Sequence, residues 1–151
     1  MMIRVVAALV CGGLIGLDRE VRSHSAGLRT HALAAEGAAL FTLAGILIGT
    51  EAHNAGFSSA DPTRVASTVV QGIGFLAGGV IFGTAAKVNG LTTAAGLWTT
   101  ASIGMLCGAG FYALAFFATA AAVIVLSAVK FFEDHVTTDS PSSDGPEHWT
   151  E

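Results

Sequence analysis

Two carboxylates, Asp18 and Glu20, stand close together in a polar segment, residues 18–31, that separates two apolar stretches of the chain. Carboxylate oxygens are ligands that Mg²⁺ prefers in proteins, often with water completing the coordination shell. Asp18 and Glu20 are therefore candidate metal ligands, with Mg²⁺ as the candidate cofactor. Asp18 and Arg22 are also spaced i, i+4, so the acids can equally be interfacial charges that pair along one helix face.

Glu36 is a second kind of candidate, because it interrupts an apolar stretch. About six helical residues precede it, which places it roughly 9 Å below a membrane surface. An ionisable residue at such a depth is a functional candidate, here for a proton or a cation. Two alternatives stay open. Glu36 can be a neutral acid or one paired with Arg29, two turns earlier on the same face, or it can form a contact between subunits.

Apolar helices must position these residues. Residues 88–129 contain no charged side chain, and a membrane-spanning helix needs roughly 20 apolar residues. Charged residues make up 12% of the chain, hydrophobic residues 52%, and the mean hydropathy is +0.66. We therefore predict an all-α, polytopic membrane protein with five transmembrane helices and close, glycine-rich helix packing. The predicted transmembrane domain is 1–132, with spans at about 3–17, 30–50, 65–83, 92–108 and 111–132, and residues 133–151 are predicted to form a disordered polar tail.

Five spans place the two ends of the chain on opposite sides of the bilayer. Most of the basic residues share a side with the C-terminus, while Arg4 and Arg64 lie on the other. Because cytoplasmic loops carry an excess of Lys and Arg, we expect the N-terminus outside and the C-terminus in the cytoplasm. The residues on the predicted cytoplasmic side are Arg19, Arg22, Arg29, Lys87 and Lys130.

Small and polar residues form stripes on the third and fourth spans. Small residues let helix backbones approach closely, and those of the third span lie on two nearly opposite faces, so we expect this span to be central. On the fourth span, Trp98, Ala101 and Met105 are predicted to face lipid, opposite a threonine stripe. The predicted packing residues are Gly72, Gly74, Gly78, Gly79 and Gly83. The predicted intramembrane polar residues are Glu36, Gln71, Thr93 and Thr99, which serve either packing alone or a hydrophilic pathway.

Two classes of function are disfavoured. The sequence shows no phosphate-binding loop, nucleotide-binding fingerprint or paired acid–base constellation. It also lacks the basic run that is typical of nucleic-acid binding. We therefore predict that the protein is not an enzyme and has no nucleic-acid partner.

Several blocks in order along the chain resemble the MgtC/SapB family. They are residues 14–20 (LIGLDRE), 26–33 (AGLRTHAL), 37–41 (GAALF), 72–76 (GIGFL), 79–82 (GVIF), 90–95 (GLTTAA) and 97–98 (LW). The resemblance implies a bacterial inner-membrane protein linked to Mg²⁺ limitation, acid tolerance and survival inside phagocytes. It further implies a regulator associated with the F-type ATP synthase or a Mg²⁺-transporting ATPase.

The chain departs from the family pattern at Glu36, at the Ala77-Gly78 pair and at Asn89, which replaces a basic residue. It is also interpreted as a short form, because longer members carry an ACT-like domain after the fifth span. The candidate functional rim comprises Asp18, Glu20, Arg29, Thr30, His31, Asn89 and Thr92.

Three functions remain open: a regulator of another membrane complex, an oligomeric Mg²⁺ or proton transporter that uses Glu36, and a passive structural subunit. The expected partners are the lipid bilayer, a second copy of the chain, and the F-type ATP synthase or Mg²⁺-transporting ATPase.

Overall fold

The computed structural model describes residues 1–57, 61, 63–84 and 87–137. Within them the predicted helical class is confirmed. The helices are α1 (Met2–Val21), α2 (Leu28–Asn54), α3 (Thr63–Gly79), α4 (Leu91–Ala109) and α5 (Tyr112–Thr137). A two-stranded antiparallel hairpin, β1 (Phe82–Thr84) and β2 (Lys87–Asn89), joins α3 to α4.

Two helix boundaries depend on glycine. Gly90 precedes α4 with φ of +88° and Gly110 follows it with φ of +93°, a left-handed conformation that glycine adopts without steric cost. A Cβ on Gly90 would also overlap the carbonyl oxygen of Val80. These turn residues explain why the fourth predicted span agrees with α4 to within a residue or so at each end.

The other boundaries differ more from the prediction. α1 continues through residues 18–21, so the polar segment begins inside a helix. The third span was predicted to reach residue 83, but α3 ends at Gly79 and Gly83 lies in β1, opposite Val88. α5 extends to Thr137, five residues beyond the predicted span, and the predicted tail beyond it lies outside the described residues.

Hydrogen bonds between helix ends define the two ends of the helix bundle. The first end holds the C-terminus of α1 and the N-termini of α2 and α4, as shown by a hydrogen bond between Arg19 and Thr93. The second end holds the N-terminus of α1 and the C-terminus of α4. There Arg4 donates a 2.9 Å hydrogen bond from Nη1 to the Gly108 carbonyl oxygen. α1 is therefore antiparallel to α4.

The core lies where α1, α2 and α4 meet, and small residues allow their backbones to approach. Its buried members are Ala8, Cys11, Ile15, Ala35, Ala39, Ile103 and Cys107, and α5 adds Ala115. α4 is the central helix, because it packs against each of the other four helices. Ala101, predicted to face lipid, is 2% exposed and packs with Ala38 and Ile73.

The prediction that the third span is central is wrong, because α3 lies at the edge of the described bundle. It packs mainly against α4, with a smaller contact to α2. A Cβ built on any of its four predicted packing glycines would meet no atom of the described residues within 4 Å, so the described part of the chain does not pack against them: Gly72, Gly74, Gly78 and Gly79. Between α2, α3 and α4 lies an apolar groove of about 520 Å³, lined in part by Phe41, Val65 and Ile73.

Every helix exposes large apolar side chains. Examples, one from each of the five helices, are Leu14, Phe41, Phe75, Trp98 and Phe117. Among the described residues, one helix, Leu28–Asn54, is both long and apolar enough to span a membrane, and Tyr112–Ala128 is a shorter apolar helix.

Candidate functional site at the first end of the bundle

Asp18 ties α1 to α5. Its Oδ1 atom accepts a 2.9 Å hydrogen bond from Arg22 Nε, which forms the i, i+4 ion pair, and a 3.0 Å bond from Ser127 Oγ. The other carboxylate oxygen, Oδ2, is buried and has no hydrogen-bond partner among the described residues. One half of the carboxylate therefore holds two helices together, while the other half stays unpaired.

Glu20 acts on a different helix. Its Oε2 atom accepts a 2.9 Å hydrogen bond from the backbone N–H of Leu28, the first residue of α2. The first N–H groups of a helix have no partner within the helix, so an acceptor there stabilises the helix N-terminus. Gly27 leaves room for this contact, because a Cβ on it would overlap Glu20 Oε2.

The two candidate metal ligands thus form their hydrogen bonds in different places, Asp18 with α5 and Glu20 with α2. No group of three or more His, Cys, Asp or Glu side chains that could hold a metal occurs in the part of the chain that the structure describes. A Mg²⁺ site built on this pair stays a prediction. Such a site would draw most of its ligands from water or from another molecule.

Arg19 is the residue that the sequence interpretation missed. It was counted only as a cytoplasmic charge, yet it is 3% exposed. Its Nη2 atom donates a 3.4 Å hydrogen bond to Thr93 Oγ1, and its Nε atom is buried with no partner among the described residues. The signal was present, because Ala8, Cys11 and Ile15 recur every three or four residues and Arg19 continues that buried face.

His31, on α2, is fully buried where α2 meets α1 and α4, next to Gly16 and Gly96. Its Nδ1 atom is 3.0 Å from the Gly27 carbonyl oxygen. A carbonyl can only accept, so Nδ1 carries the proton in this contact. The other ring nitrogen, Nε2, has no hydrogen-bond partner among the described residues and would lie 3.5 Å from a Cβ on Gly96. The hydroxyl of Thr100 is likewise buried without a partner among the described residues.

Four buried polar side chains, contributed by α1, α2 and α4, lie along the face of α4 that meets the other two helices. We call this set the buried polar strip, and its members are Arg19, Thr93, His31 and Thr100. The structure buries all four. Sequence reasoning had placed His31 on the rim and Thr93 among the intramembrane polar residues, but it had not joined them to Arg19.

The remaining rim residues stay at the surface. Arg29, Thr30 and Thr92 are exposed, and Asn89 is half-buried at the end of β2. They lie at the same end of the bundle as the strip and form no hydrogen bond with it among the described contacts. Their role as a functional rim stays a prediction.

The predicted intramembrane polar residues do not assemble within one chain. Glu36 is half-buried and forms no hydrogen bond or ion pair among the described residues, so the pairing with Arg29 is not formed. Gln71 is exposed on α3, and Thr99 Oγ1 donates a 2.9 Å bond to the Ala95 carbonyl of its own helix. The described part of a single chain therefore contains no continuous path through Glu36, Gln71 and Thr99.

Comparison with known proteins decides the family. The family model described as "MgtC family" matches residues 5–135, most of the chain. The chain belongs to the MgtC family. This confirms the resemblance of the sequence blocks, and MgtC-family proteins are bacterial membrane proteins.

Individual relatives agree with the family match. Protein MgtC of Brucella abortus is 46% identical over 115 residues, which is 76% of this chain and 45% of the relative. The putative magnesium transporter YhiD of Escherichia coli K12 is 38% identical over 125 residues, 83% of this chain and 58% of the relative. An uncharacterized Synechocystis protein is 43% identical over 111 residues, 74% and 44% of the two chains. The chain thus spans about half the length of the curated relatives it matches, and no solved structure gives a significant match.

Proposed function

We propose that this MgtC-family chain is a multi-pass inner-membrane protein that acts in Mg²⁺ homeostasis, under low Mg²⁺ or acid conditions and during intracellular survival. In this proposal it regulates another membrane complex, either the F-type ATP synthase or a Mg²⁺ transporter. The family match over residues 5–135 carries the proposal. The regulatory role and the partners come from what the resemblance of the sequence blocks implies.

The exposed apolar surfaces support a multi-pass arrangement. Leu14, Phe75 and Phe117, on three different helices, are all at least half exposed, and large exposed apolar side chains on several helices favour contact with lipid or with another protein. We propose that all five helices cross the bilayer. The first end of the bundle then faces the cytoplasm, and the N-terminus lies outside.

The open side of α3 and the exposed rim support a role in binding another protein. Gly74 and Gly78 leave a narrow helix surface with nothing against it in the described chain, and such surfaces allow a second helix to approach closely in a membrane. Arg29 and Thr92 supply exposed polar groups at the first end. We propose that the α3 surface contacts a second copy or a partner helix, while the rim contacts the partner outside the bilayer.

A second candidate function is transport of Mg²⁺ or protons by an oligomer. Two observations favour it: the Escherichia coli relative is named a putative magnesium transporter, and the half-buried Glu36 carboxylate has no partner among the described residues. Because Glu36, Gln71 and Thr99 do not meet in one chain, this function requires residues of a second copy to complete the path.

Mg²⁺ flux into proteoliposomes separates the two candidates. Wild-type protein and a Glu36→Gln variant are reconstituted alone, with a Mg²⁺-sensitive dye inside the vesicles and folding checked by circular dichroism. The regulator predicts no flux above that of empty liposomes. Flux that is lost in Glu36→Gln would replace the regulator by the transporter.

ATP-driven proton pumping tests the regulatory role directly. Inverted membrane vesicles that contain the F-type ATP synthase are compared with and without the chain, and we expect the chain to lower the pumping rate. Thr92→Ala and Arg29→Gln should weaken this effect, because both side chains are exposed at the rim. Glu51→Gln is the matched control, since Glu51 is also exposed but lies near the other end of α2. Unchanged pumping would contradict the ATP synthase as partner.

A further inference from the structure

The charges at the first end of the bundle do not balance. Asp18 is paired with Arg22, and Glu20 accepts the Leu28 N–H at the N-terminus of α2. Arg19 forms no ion pair among the described residues, although it is 3% exposed. A guanidinium stays protonated in proteins, and a buried charge without a counter-charge is costly. The charge of Asp18 acts on two guanidiniums, those of Arg22 and Arg19, so a net positive charge is left beside Arg19.

That charge lies against the first turn of α4. The 3.4 Å bond from Arg19 Nη2 to Thr93 Oγ1 fixes the guanidinium beside the third residue of this helix. The first hydrogen bond of α4 runs from the Ala94 N–H to the Gly90 carbonyl, so the N–H groups of residues 91–93 have no acceptor within the helix. Gly90 provides no side-chain cap, and the first turn contains no acidic residue.

The groups around the N-terminus of α4 can all donate hydrogen bonds to an anion. Arg19 offers a buried Nε–H that has no acceptor among the described residues. Thr93 accepts from Arg19 and keeps its hydroxyl proton free to donate. The backbone N–H groups and the positive end of the helix dipole also favour an anion. Neither neighbouring carboxylate forms a hydrogen bond with Arg19: Glu20 bonds to α2, and Asp18 bonds through Oδ1 to Arg22 and to Ser127 of α5, while its Oδ2 stays unpaired among the described residues.

We propose that the N-terminus of α4, with Arg19 and Thr93, binds a small inorganic anion such as chloride. The ligand accepts from the Arg19 Nε–H, the Thr93 hydroxyl and the first-turn N–H groups of α4. Its small size follows from the near-complete burial of Arg19 and Thr93, which are 3% and 4% exposed. The site is separate from the proposed regulatory and transport functions, and the positive charge of Arg19 disfavours Mg²⁺ here.

The unfolding temperature of the purified full chain tests the site. Chloride is titrated against gluconate at constant ionic strength, so that charge screening stays the same while the size of the anion changes. Because a ligand that binds only the folded state stabilises it, we expect chloride to raise the midpoint by about 2–4 °C. A midpoint that is the same in both salts would overturn the proposal.

Two variants and a control assign the effect to this site. Arg19→Met should abolish the chloride response, and the nearly isosteric Thr93→Val should weaken chloride affinity about ten-fold, as expected for loss of a hydrogen bond to a charged group. Arg64→Gln should respond like the wild type, because Arg64 is exposed at the start of α3 and far from the site along the fold. A chloride response that survives in Thr93→Val and is lost in Arg64→Gln would also overturn the proposal.

Direct binding keeps the proposal testable if Arg19→Met fails to fold. Chloride NMR line broadening is measured with the wild type and with Thr93→Val, both in detergent micelles. We expect broadening by the wild type that added gluconate does not remove and that Thr93→Val reduces. Equal broadening by wild type, Thr93→Val and empty micelles would show that the buried donors hold water only, and the anion site would be rejected.

Discussion

The glycines of α4 and those of α3 look alike in the sequence but lie in opposite surroundings. A Cβ on Gly104 would come 2.8 Å from the Ala35 Cα, and one on Gly108 would come 2.7 Å from the Ala39 carbonyl oxygen. A Cβ on Gly74 or Gly78 would meet nothing within 4 Å. In α4, glycine lets two backbones touch within the chain. In α3, it leaves a helix surface that nothing in the described part of the chain covers.

The largest expected effect comes from adding one methyl group to each helix. Gly104→Ala should destabilise the fold by about 3 kcal/mol, because the close contact with the α2 backbone can relax only by moving a helix. Gly74→Ala is the matched control, and the better helix propensity of alanine should leave stability unchanged or raise it by up to about 1 kcal/mol. Reversible unfolding in mixed detergent and SDS micelles measures both. If Gly104→Ala and Gly74→Ala lowered the free energy of unfolding equally, α3 would also be covered by its own chain.

A smaller effect should follow from removing the arginine at the second end of the bundle. Arg4→Met loses the 2.9 Å bond to the Gly108 carbonyl, and a hydrogen bond from a charged group to a helix C-terminus is worth about 1.5 kcal/mol. Arg64→Met on α3 should change stability by less than about 0.5 kcal/mol, as for other exposed sites. The same unfolding assay measures both variants. An Arg4→Met variant as stable as Arg64→Met would show that the Arg4–Gly108 hydrogen bond does not stabilise the fold.

The loss of the acceptor at the N-terminus of α2 should cost less again. Glu20→Ala leaves the Leu28 N–H without its 2.9 Å side-chain acceptor, at a cost of about 1 kcal/mol. Gln71→Ala on α3 is the counterpart, an exposed polar side chain with no hydrogen bond among the described contacts. Hydrogen exchange of the Leu28 amide should quicken in Glu20→Ala alone. Unchanged protection would mean that water or another group replaces the carboxylate.

The smallest effect on the single chain, and the sharpest test of the open surface, comes from enlarging α3. Gly78→Leu should leave the free energy of unfolding within about 0.5 kcal/mol of the wild type, because the site is exposed. Cross-linking in native membranes should nevertheless show less dimer or less partner complex, since a bulky residue keeps another helix at a distance. Unchanged cross-linking would separate the α3 surface from assembly.

Local patterns in the sequence were enough to predict much of the fold. The long uncharged run and the position of Gly110 predicted the helical class and the limits of α4, because run length and left-handed turn residues are local properties. The ordered sequence blocks identified the family. The i, i+4 spacing of Asp18 and Arg22 predicted their ion pair. Each of these features depends only on residues that are near one another along the chain.

The candidate site was predicted only in part. His31 and Thr93 were among the candidates, but Arg19 was assigned to a loop because its charge seemed to end the apolar segment. In the structure α1 continues through it and buries it against Thr93. Asp18 and Glu20 were candidate ligands of one Mg²⁺ or interfacial charges, and the structure shows that each bonds to a different helix. Spacing along one helix places a side chain on a face, but it does not name the helix that covers that face.

The sequence by itself determined that the chain is helical, where each helix begins to within about two residues, and to which family it belongs, because these follow from local propensity, apolar length and ordered motifs. Only the tertiary structure decided that α4 rather than α3 is central, that Arg19 is buried without an ion pair, and that the α3 glycines are uncovered, the last two as far as the described residues extend. The physical reason is that helix packing depends on the fit of two surfaces distant in sequence. Similar stripes of small residues therefore led to a packed interface in α4 and an uncovered one in α3.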